Sequence, residues 1–233
     1  MSKRSKNYRA ALEKFQGKTR FTLKEGIRLL KETSAVKFDA TCELHLNLNG
    51  DPKKEDQSLR STLLLPHGTG KTYKIAAVVS DDKVKAAKAA GATAAGLEDL
   101  ITQFESGKFD YDVILAAPET MKYLGKVAKT LGQKGMMPNP KSGTVTNDIV
   151  KTIEELKRGR IEYRSDKEGN LHTVFGKVSF KEEELENNLK AILKSIRDNK
   201  PAGIKGTFIK SMTITSTMGP GIHLEVNEAL SNL

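Results

Sequence analysis

Several features that would assign this chain to a particular class of protein are scarce or missing. Its 233 residues include one cysteine, Cys42, which excludes an internal disulfide and a zinc site built from cysteines. The apolar runs are short, well below the roughly 18 residues that a membrane-spanning helix needs. The basic N-terminus leads into polar Asn7 and Tyr8, so no secretory signal is predicted. We therefore expect a cytoplasmic protein with no membrane partner.

Complete nucleotide-binding motifs are also missing. Residues 67–72 read HGTGKT, like the end of a P-loop, but the glycine required five residues before Gly70 is replaced by Leu65. Residues 73–79, YKIAAVV, predict a strand, whereas a P-loop opens a helix. No G-x-G-x-x-G follows that strand, so dinucleotide binding is not supported. A nucleotide hydrolase is kept as an alternative, and no cofactor is predicted.

Positive charge is abundant and unevenly distributed. The chain has 39 Lys and Arg against 29 Asp and Glu, a net charge of +10, which predicts attraction to polyanions such as nucleic acid. Residues 1–37 alone contain 11 basic and 3 acidic side chains. They predict a basic N-terminal face, with an ordinary solvated helix surface as the alternative.

The N-terminal third mixes a helix with strands. Thr22 and Glu25 have the spacing of a capping box, and Leu23 and Ile27 lie on the apolar face of the helix that it would open. Residues 42–49 alternate apolar and polar side chains, which predicts a strand with one solvated face.

His45 lies on that solvated face and is expected to be an ordinary surface residue, since a metal site needs several convergent ligands. A charged turn is predicted at residues 51–56 and a second strand at 61–65.

The middle third alternates strands and helices. Strands are predicted at 73–79 and 113–117, and helices at 81–90, 96–104, from Pro118 onward to 131, and at 147–159. Buried strands separated by helices predict a small parallel sheet with helices on its faces. The intervening GQKGMMPNPKSGT, residues 132–144, predicts a fixed irregular loop.

The C-terminal third returns to the style of the first. Residues 161–164 and 171–180 predict a hairpin around a turn at 166–170, followed by a helix at 182–199 and a strand at 208–218. One face of that strand carries the hydroxyls of Ser211, Thr213, Thr215 and Thr217. Such a row suits sugar 2′-OH and phosphate groups, with a plain solvated sheet as the alternative. The Met-Gly-Pro-Gly turn that follows lets a backbone approach a flat partner closely.

These patterns of predicted helices and strands indicate a fold with α/β and α+β parts in two domains. A discontinuous antiparallel α+β domain, residues 1–67 and 160–233, would be interrupted by an inserted three-layer Rossmann-like α/β domain, residues 68–159. Two adjacent chain crossings also predict a hinge.

Several stretches together resemble one known family, that of the universal large-subunit ribosomal protein one in its bacterial form. They cover nearly the whole chain in order and are KFDAT (37–41), LPHGTGK (65–71), GMMPNPKSGTV (135–145), GRIEYRSDKEGNLH (159–172), GKVSF (176–180), and KGTFIKS with TSTMGP (205–220).

The resemblance implies a structural, non-enzymatic protein that binds large-subunit ribosomal RNA as part of a mobile stalk, acting as a monomer within the ribosome. It further implies influence on release of exit-site tRNA and repression of its own operon messenger RNA. The family's RNA surface corresponds here to Lys37, Phe38, Thr41, Arg164, Asp166, His172, Gly176, Lys177, Ser179, Ser211, Thr217, Met218 and Gly219.

Two further alternatives stay open. One is an acid/base enzyme using His172 with Asp166, against which stands the lack of a convergent nucleophile, histidine and carboxylate set. The other is an RNA-binding regulator that acts outside the ribosome, because the same surface would serve both roles.

Overall fold

The computed structural model describes residues 5–50, 59–107, 109–201, 204 and 206–231 of the chain. The predicted turn at residues 51–56 lies outside the described residues. The chain divides into two compact units. The first unit combines Met1–Gly70 with Ile161–Leu233, and the second is the intervening Lys71–Arg160.

The helices and the strands are numbered separately, each in chain order. The α-helices are α1 (Lys6–Glu13), α2 (Leu23–Thr33), α3 (Asp81–Ala89), α4 (Glu98–Ser106), α5 (Met121–Leu124), α6 (Ala128–Gln133), α7 (Ile149–Arg158), α8 (Glu182–Asp198) and α9 (Val226–Ser231). The strands are β1 (Thr41–Leu48), β2 (Arg60–Leu64), β3 (Ile75–Val78), β4 (Ala94–Gly96), β5 (Val113–Ala116), β6 (Arg160–Arg164), β7 (Asn170–Lys177), β8 (Ile209–Ser216) and β9 (Ile222–Leu224).

The first unit is built on an antiparallel sheet with strand order β7-β1-β8-β9. Strand β1 lies inside this sheet and buries every second side chain, from Cys42 to Leu48, in a core shared with α2 and α8. The other side chains of β1 lie on the opposite, polar face. The alternation therefore predicted both the strand and its solvated face correctly.

Helix α2 begins with the predicted capping box. The Thr22 Oγ1 accepts the Glu25 N–H at 3.3 Å, and the Glu25 carboxylate accepts the Thr22 N–H at 3.3 Å. Lys18 donates to the same carboxylate and, with these bonds, holds the pKa of Glu25 below its ordinary value. Ile27 and Leu30 are buried on the face that the periodicity indicated.

The predicted hairpin is wrong as a paired unit. Strand β7 pairs with β1, whereas β6 pairs with β2 in a separate two-stranded sheet. In the described part of the chain, one isolated bridge, between Ser165 and Leu171, connects the two segments. The turn brings the strands together, but Tyr163 in β6 is buried and its hydroxyl shares a hydrogen bond of 2.7 Å with Ser195 Oγ of α8. Packing on α8 thus decided the partner of β6.

Short elements escaped the sequence prediction. The helix expected from residue 96 begins at Glu98, because Ala94–Gly96 form the edge strand β4 of the parallel sheet. The segments α1, β9 and α9 were not predicted. The helix expected after Pro118 is divided by short 3₁₀ turns at Pro118–Thr120 and Gly125–Val127. Three-residue strands and helices of one or two turns carry too little periodicity to be recognised.

The second unit has the expected three layers. Its parallel sheet has the order β4-β3-β5. Alternate residues of β3 pack into two separate cores, one with Phe104 of α4 and Leu131 of α6, the other with Ala87 of α3 and Ile153 of α7. Helices therefore cover both faces of the sheet, which confirms the Rossmann-like α/β architecture.

The HGTGKT segment is a structural turn whose anchor is Asn188 of α8. The fully buried Asn188 side chain accepts the His67 N–H at 3.0 Å and donates to the carbonyls of Gly68 and Phe175, both at 2.9 Å. Gly70 has φ +71°, and a Cβ there would lie 2.8 Å from the Lys177 Cγ. No helix opens after this segment; the chain continues through residues without regular secondary structure into β3. The geometry of a P-loop is therefore not formed.

The loop at residues 132–144 is fixed by its own hydrogen bonds, as predicted. Asn139 N–H donates to Thr144 Oγ1 at 2.8 Å, and Asn139 Oδ1 accepts the Lys141 N–H at 2.8 Å. The Ser142 hydroxyl donates to the Asn139 carbonyl at 3.0 Å. Its regular parts are a single 3₁₀ turn, Pro140–Ser142, and its first two residues, which belong to α6 because that helix extends to Gln133.

Candidate nucleic-acid interface

All thirteen predicted RNA-surface residues belong to the first unit, where they form two groups. The group that we call the β1-start cluster surrounds the first residues of β1 and consists of Lys37, Phe38, Thr41, Gly176, Lys177, Ser179, Thr217, Met218 and Gly219. Of the remaining four, His172 and Ser211 lie toward the middle and far end of the same sheet, Arg164 is the last residue of β6, and Asp166 lies in the turn between β6 and β7.

Thr41 is the centre of the β1-start cluster. Its N–H donates to Thr217 Oγ1 at 3.1 Å, and its carbonyl accepts the Thr217 N–H at 3.0 Å. The Lys177 ammonium donates to Thr41 Oγ1 at 3.1 Å and to the Asp39 carbonyl at 3.3 Å. Three stretches distant in sequence are thereby fixed at one end of the sheet, and the Lys177 cation is held in place beside their hydroxyls.

Asp39 is a member of this cluster that the sequence reasoning missed. Its carboxylate accepts the Ser179 N–H at 3.1 Å and the Ser179 hydroxyl at 2.9 Å. The signal available was its position inside the KFDAT stretch. Asp39 therefore orients Ser179 within the cluster, and its negative charge makes it a poor direct partner for phosphate.

The turn after β8 presents a strained and exposed side chain. Met218 has φ +66°, unusual for any residue but glycine, and its side chain is 81% exposed. The Gly219 N–H donates to the Ser216 carbonyl at 2.7 Å. A Cβ on Gly219 would lie 2.4 Å from Ser216 Oγ and 3.1 Å from the Ser216 carbonyl, so the tight turn requires glycine here. A conformation that costs free energy and exposes an apolar group indicates a functional position.

The hydroxyl row on β8 lies on the polar face, as predicted, but most of it is engaged inside the protein. Thr217 Oγ1 is bonded to the Thr41 N–H, and Thr213 Oγ1 shares a hydrogen bond of 2.9 Å with His223 Nδ1. Thr215 Oγ1 donates to the Ser216 carbonyl at 3.1 Å. These three threonine hydroxyls therefore make hydrogen bonds within the protein. Ser211 is the exposed member of the row.

Asp166 has a structural position in the second group. Its carboxylate accepts the backbone N–H groups of Asn170 at 2.7 Å and Glu168 at 2.8 Å. The Asn170 bond is the main reason why the pKa of Asp166 lies below its ordinary value. Asp166 thus closes the turn before β7, while Arg164, two residues earlier, is exposed.

His172 is paired with His45, a contact that the sequence did not predict. The two side chains lie opposite each other on β7 and β1, with 2.8 Å between their Nδ1 atoms. Burial lowers the pKa of His45, the charge of His172 lowers it further, and Glu43 opposes both. His45, on the polar face of the inner strand β1, therefore contacts His172 on the neighbouring strand β7.

The described residues contain neither a candidate metal cluster nor an activated cysteine. They contain no group of three or more His, Cys, Asp or Glu side chains able to hold a metal ion. Cys42 is buried in β1, and burial raises the pKa of its thiol to about 12, so it is no nucleophile at neutral pH. Within the same residues, no helix combines the length and apolar character needed to cross a bilayer.

Comparison with known proteins gives consistent matches along nearly the whole chain. Residues 30–220 match the ribosomal protein L1p/L10e family. The large ribosomal subunit protein uL1 of Mesoplasma florum is 50% identical over 228 residues, covering 97% of this chain and 99% of that protein. The proteins of the same name are 49% identical in Onion yellows phytoplasma (96% and 97% covered) and 46% identical in Streptococcus gordonii (97% and 99% covered).

Proposed function

Because the chain belongs to the ribosomal protein L1p/L10e family, we propose that it is a structural protein of the large ribosomal subunit that binds large-subunit ribosomal RNA. The observation that carries this proposal is the β1-start cluster. Residues from three separate stretches meet there around Thr41 and combine a held cation, hydroxyls, a close-approach turn and exposed apolar groups. These are the features that recognise folded RNA by shape and stacking.

In this function, charge and shape have separate roles. Basic residues of the first unit, such as exposed Lys37, attract the RNA over a distance. The Met218–Gly219 turn fits the surface of a folded RNA and supplies discrimination. Base reading contributes less than shape.

The finer part of the proposal concerns what RNA binding accomplishes. The protein forms the mobile stalk of the large subunit, influences the release of tRNA from the exit site, and represses its own operon messenger RNA by binding a similar site there. It is a monomer in the ribosome and has no catalytic activity. The uL1 names of the relatives support the ribosomal part.

A binding experiment with two RNAs tests the proposal. Met218→Asp should lower affinity for a stalk-region fragment of large-subunit RNA about tenfold, with little effect on an unrelated duplex. Aspartate tolerates a positive φ, so the turn itself should be retained. Lys37→Ala should weaken binding to both RNAs and reduce the slope of log K against log salt by about one.

Lys129→Ala is the matched control, since Lys129 is an exposed lysine of the second unit. Equal losses on both RNAs for Met218→Asp would contradict recognition by shape. Sedimentation of the protein with free messenger and not with the large subunit would favour the alternative of a regulator outside the ribosome. Binding of a nucleoside triphosphate would revive the hydrolase alternative, which the structure of the HGTGKT turn opposes.

A further inference from the structure

A cavity of about 540 Å³ opens beside the β1-start cluster, and we propose that it binds one unpaired nucleobase of the RNA. The inference rests on the proposed function and names a feature of the ligand, an extruded base. The cavity lies between α1, the end of α2, the following loop and the turn after β8, and its apolar lining includes Tyr8, Ala11, Val36, Phe38, Met218 and Pro220. Its volume falls in the range of about 300–1,000 Å³ typical of small-molecule sites.

The rim is formed by two exposed apolar side chains of the candidate RNA surface. Phe38 is 58% exposed and Met218 is 81% exposed. Both belong to the β1-start cluster, so the cavity continues the surface on which the RNA would lie. Unpaired bases in RNA are recognised by stacking on aromatic side chains, and a methionine sulfur also contacts ring edges favourably. Phe38 and Met218 therefore each offer a surface at this cavity on which a flat ring can pack.

Polar groups at the cavity suit the edge of a base. The exposed Asn7 amide makes no hydrogen bond to the residues that the structure describes, and it offers a donor and an acceptor together. Ser5 Oγ accepts the Tyr8 N–H at 3.3 Å, and its own O–H donates to none of the residues that the structure describes. A mostly apolar cavity with a few such groups matches a base, whose faces are apolar and whose edge is polar.

The surrounding charge favours a nucleotide over an uncharged apolar ligand. Lys6 and Arg9 are exposed on α1, and Lys37 is exposed next to Phe38. The phosphates on either side of an extruded base would lie outside the cavity, where these cations attract them. The cavity and its basic surroundings together thus select a base attached to a sugar-phosphate chain.

The test uses the full chain and a stalk-region fragment of large-subunit ribosomal RNA in which each unpaired purine is replaced, in turn, by 2-aminopurine or by an abasic residue. Ala35→Phe fills the cavity from an exposed lining position, and Ala89→Phe, at an exposed alanine of α3, is its control. Asn7→Ala removes the edge contact and keeps a good helix former in α1.

One RNA position should show a change in 2-aminopurine fluorescence on binding the unaltered protein or Ala89→Phe, and none with Ala35→Phe. An abasic residue at that position should weaken binding about tenfold for the unaltered protein and less than twofold for Ala35→Phe. Asn7→Ala should cause a smaller loss that depends on the same base.

Failure of the unaltered protein to bind the fragment would overturn the proposed function together with this inference. Tight binding in which Ala35→Phe behaves like Ala89→Phe at every position would overturn the cavity inference alone. A loss for Ala35→Phe that is equal with and without every unpaired base would likewise overturn it, since the cavity would then contribute without receiving a base.

Discussion

At the residue scale, Met218 has a backbone conformation that lowers stability and a side chain that is exposed for the proposed contact with RNA. Its φ of +66° is costly for a residue with a side chain, and 81% exposure leaves it little compensating burial. Gln16, also exposed and with φ +48°, shares the backbone conformation but lies outside the β1-start cluster. Comparing Met218 with Gln16 therefore distinguishes the effect of backbone strain on stability from a role in RNA binding.

Met218→Gly should therefore raise the free energy of unfolding by about 0.5 kcal/mol, the relief of left-handed strain less the entropy gained by the unfolded chain. Gln16→Gly should do the same. Urea unfolding measures both, and RNA titration should show a loss of affinity for Met218→Gly alone. Destabilisation by Met218→Gly, or equal RNA affinities for the two variants, would contradict this account.

The His45–His172 pair predicts a pH dependence of stability. Because burial holds the pKa of His45 below its ordinary value of 6.5, the folded state binds fewer protons there than the unfolded chain. The contribution of His45 to the free energy of unfolding is then fully present above about pH 6.5, and it is lost as the pH falls through the pKa of the folded state. Glu43 and His172 are the titratable groups that face His45, and Asp166 lies 3.9 Å from the His172 ring.

The urea midpoint should consequently be lower at about pH 5.5 than at about pH 7.5, and His45→Asn should reduce that difference. His67→Asn, on a different segment of the same unit, serves as the control. An unchanged pH dependence in His45→Asn would show that the pair does not act on stability.

At the element scale, α8 organises segments that are far apart in the chain. Asn188 binds the residue 67–68 turn and the Phe175 carbonyl, and Ser195 holds Tyr163 of β6. The side chain of Asn188 makes three hydrogen bonds while fully buried, so it specifies the turn at little desolvation cost. The motif that resembles a P-loop is explained by this helix.

Asn188→Ala should lower the free energy of unfolding by about 3 kcal/mol, because the His67 N–H and two carbonyls lose their partner in a buried place. Asn187→Ala, at the exposed neighbouring position, should change it by less than about 0.5 kcal/mol. Chemical unfolding of both variants provides the comparison. Similar values for the two would mean that water satisfies the turn without Asn188.

At the scale of the whole molecule, the recognisable loop and the candidate RNA surface belong to different units. The loop at residues 132–144 lies in Lys71–Arg160, whereas the β1-start cluster lies in the unit built from both termini. The loop is fixed by bonds among its own residues, such as that from Asn139 to Thr144. Its rigidity is thus a property of the second unit.

Replacing Pro138 and Pro140 with alanine should leave affinity for the isolated stalk-region RNA within about twofold of the unaltered protein. The same change should lower stability modestly, since proline restricts the unfolded chain. Filter binding and thermal unfolding measure the two effects. A large loss of affinity would place the main RNA contact in the loop.

The sequence alone predicted the features that depend on residues close together in the chain. The alternation from Cys42 to Leu48 predicted β1 and its polar face, and the Thr22–Glu25 spacing predicted the start of α2. The candidate RNA-surface residues came from the family resemblance of several short stretches, and their role stays a prediction. Local patterns suffice here because strand alternation and helix capping depend on neighbouring residues.

The tertiary structure decided what depends on partners distant in the chain. Sequence did not distinguish Thr217 as an acceptor for Thr41 from Thr217 as a free hydroxyl, nor did it pair His45 with His172. It also did not reveal the cavity beside Phe38, which needs α1 and the turn after β8 together. Residues 176 positions apart, such as Thr41 and Thr217, meet only through the register of the sheet, and that register is set by burial of the whole core.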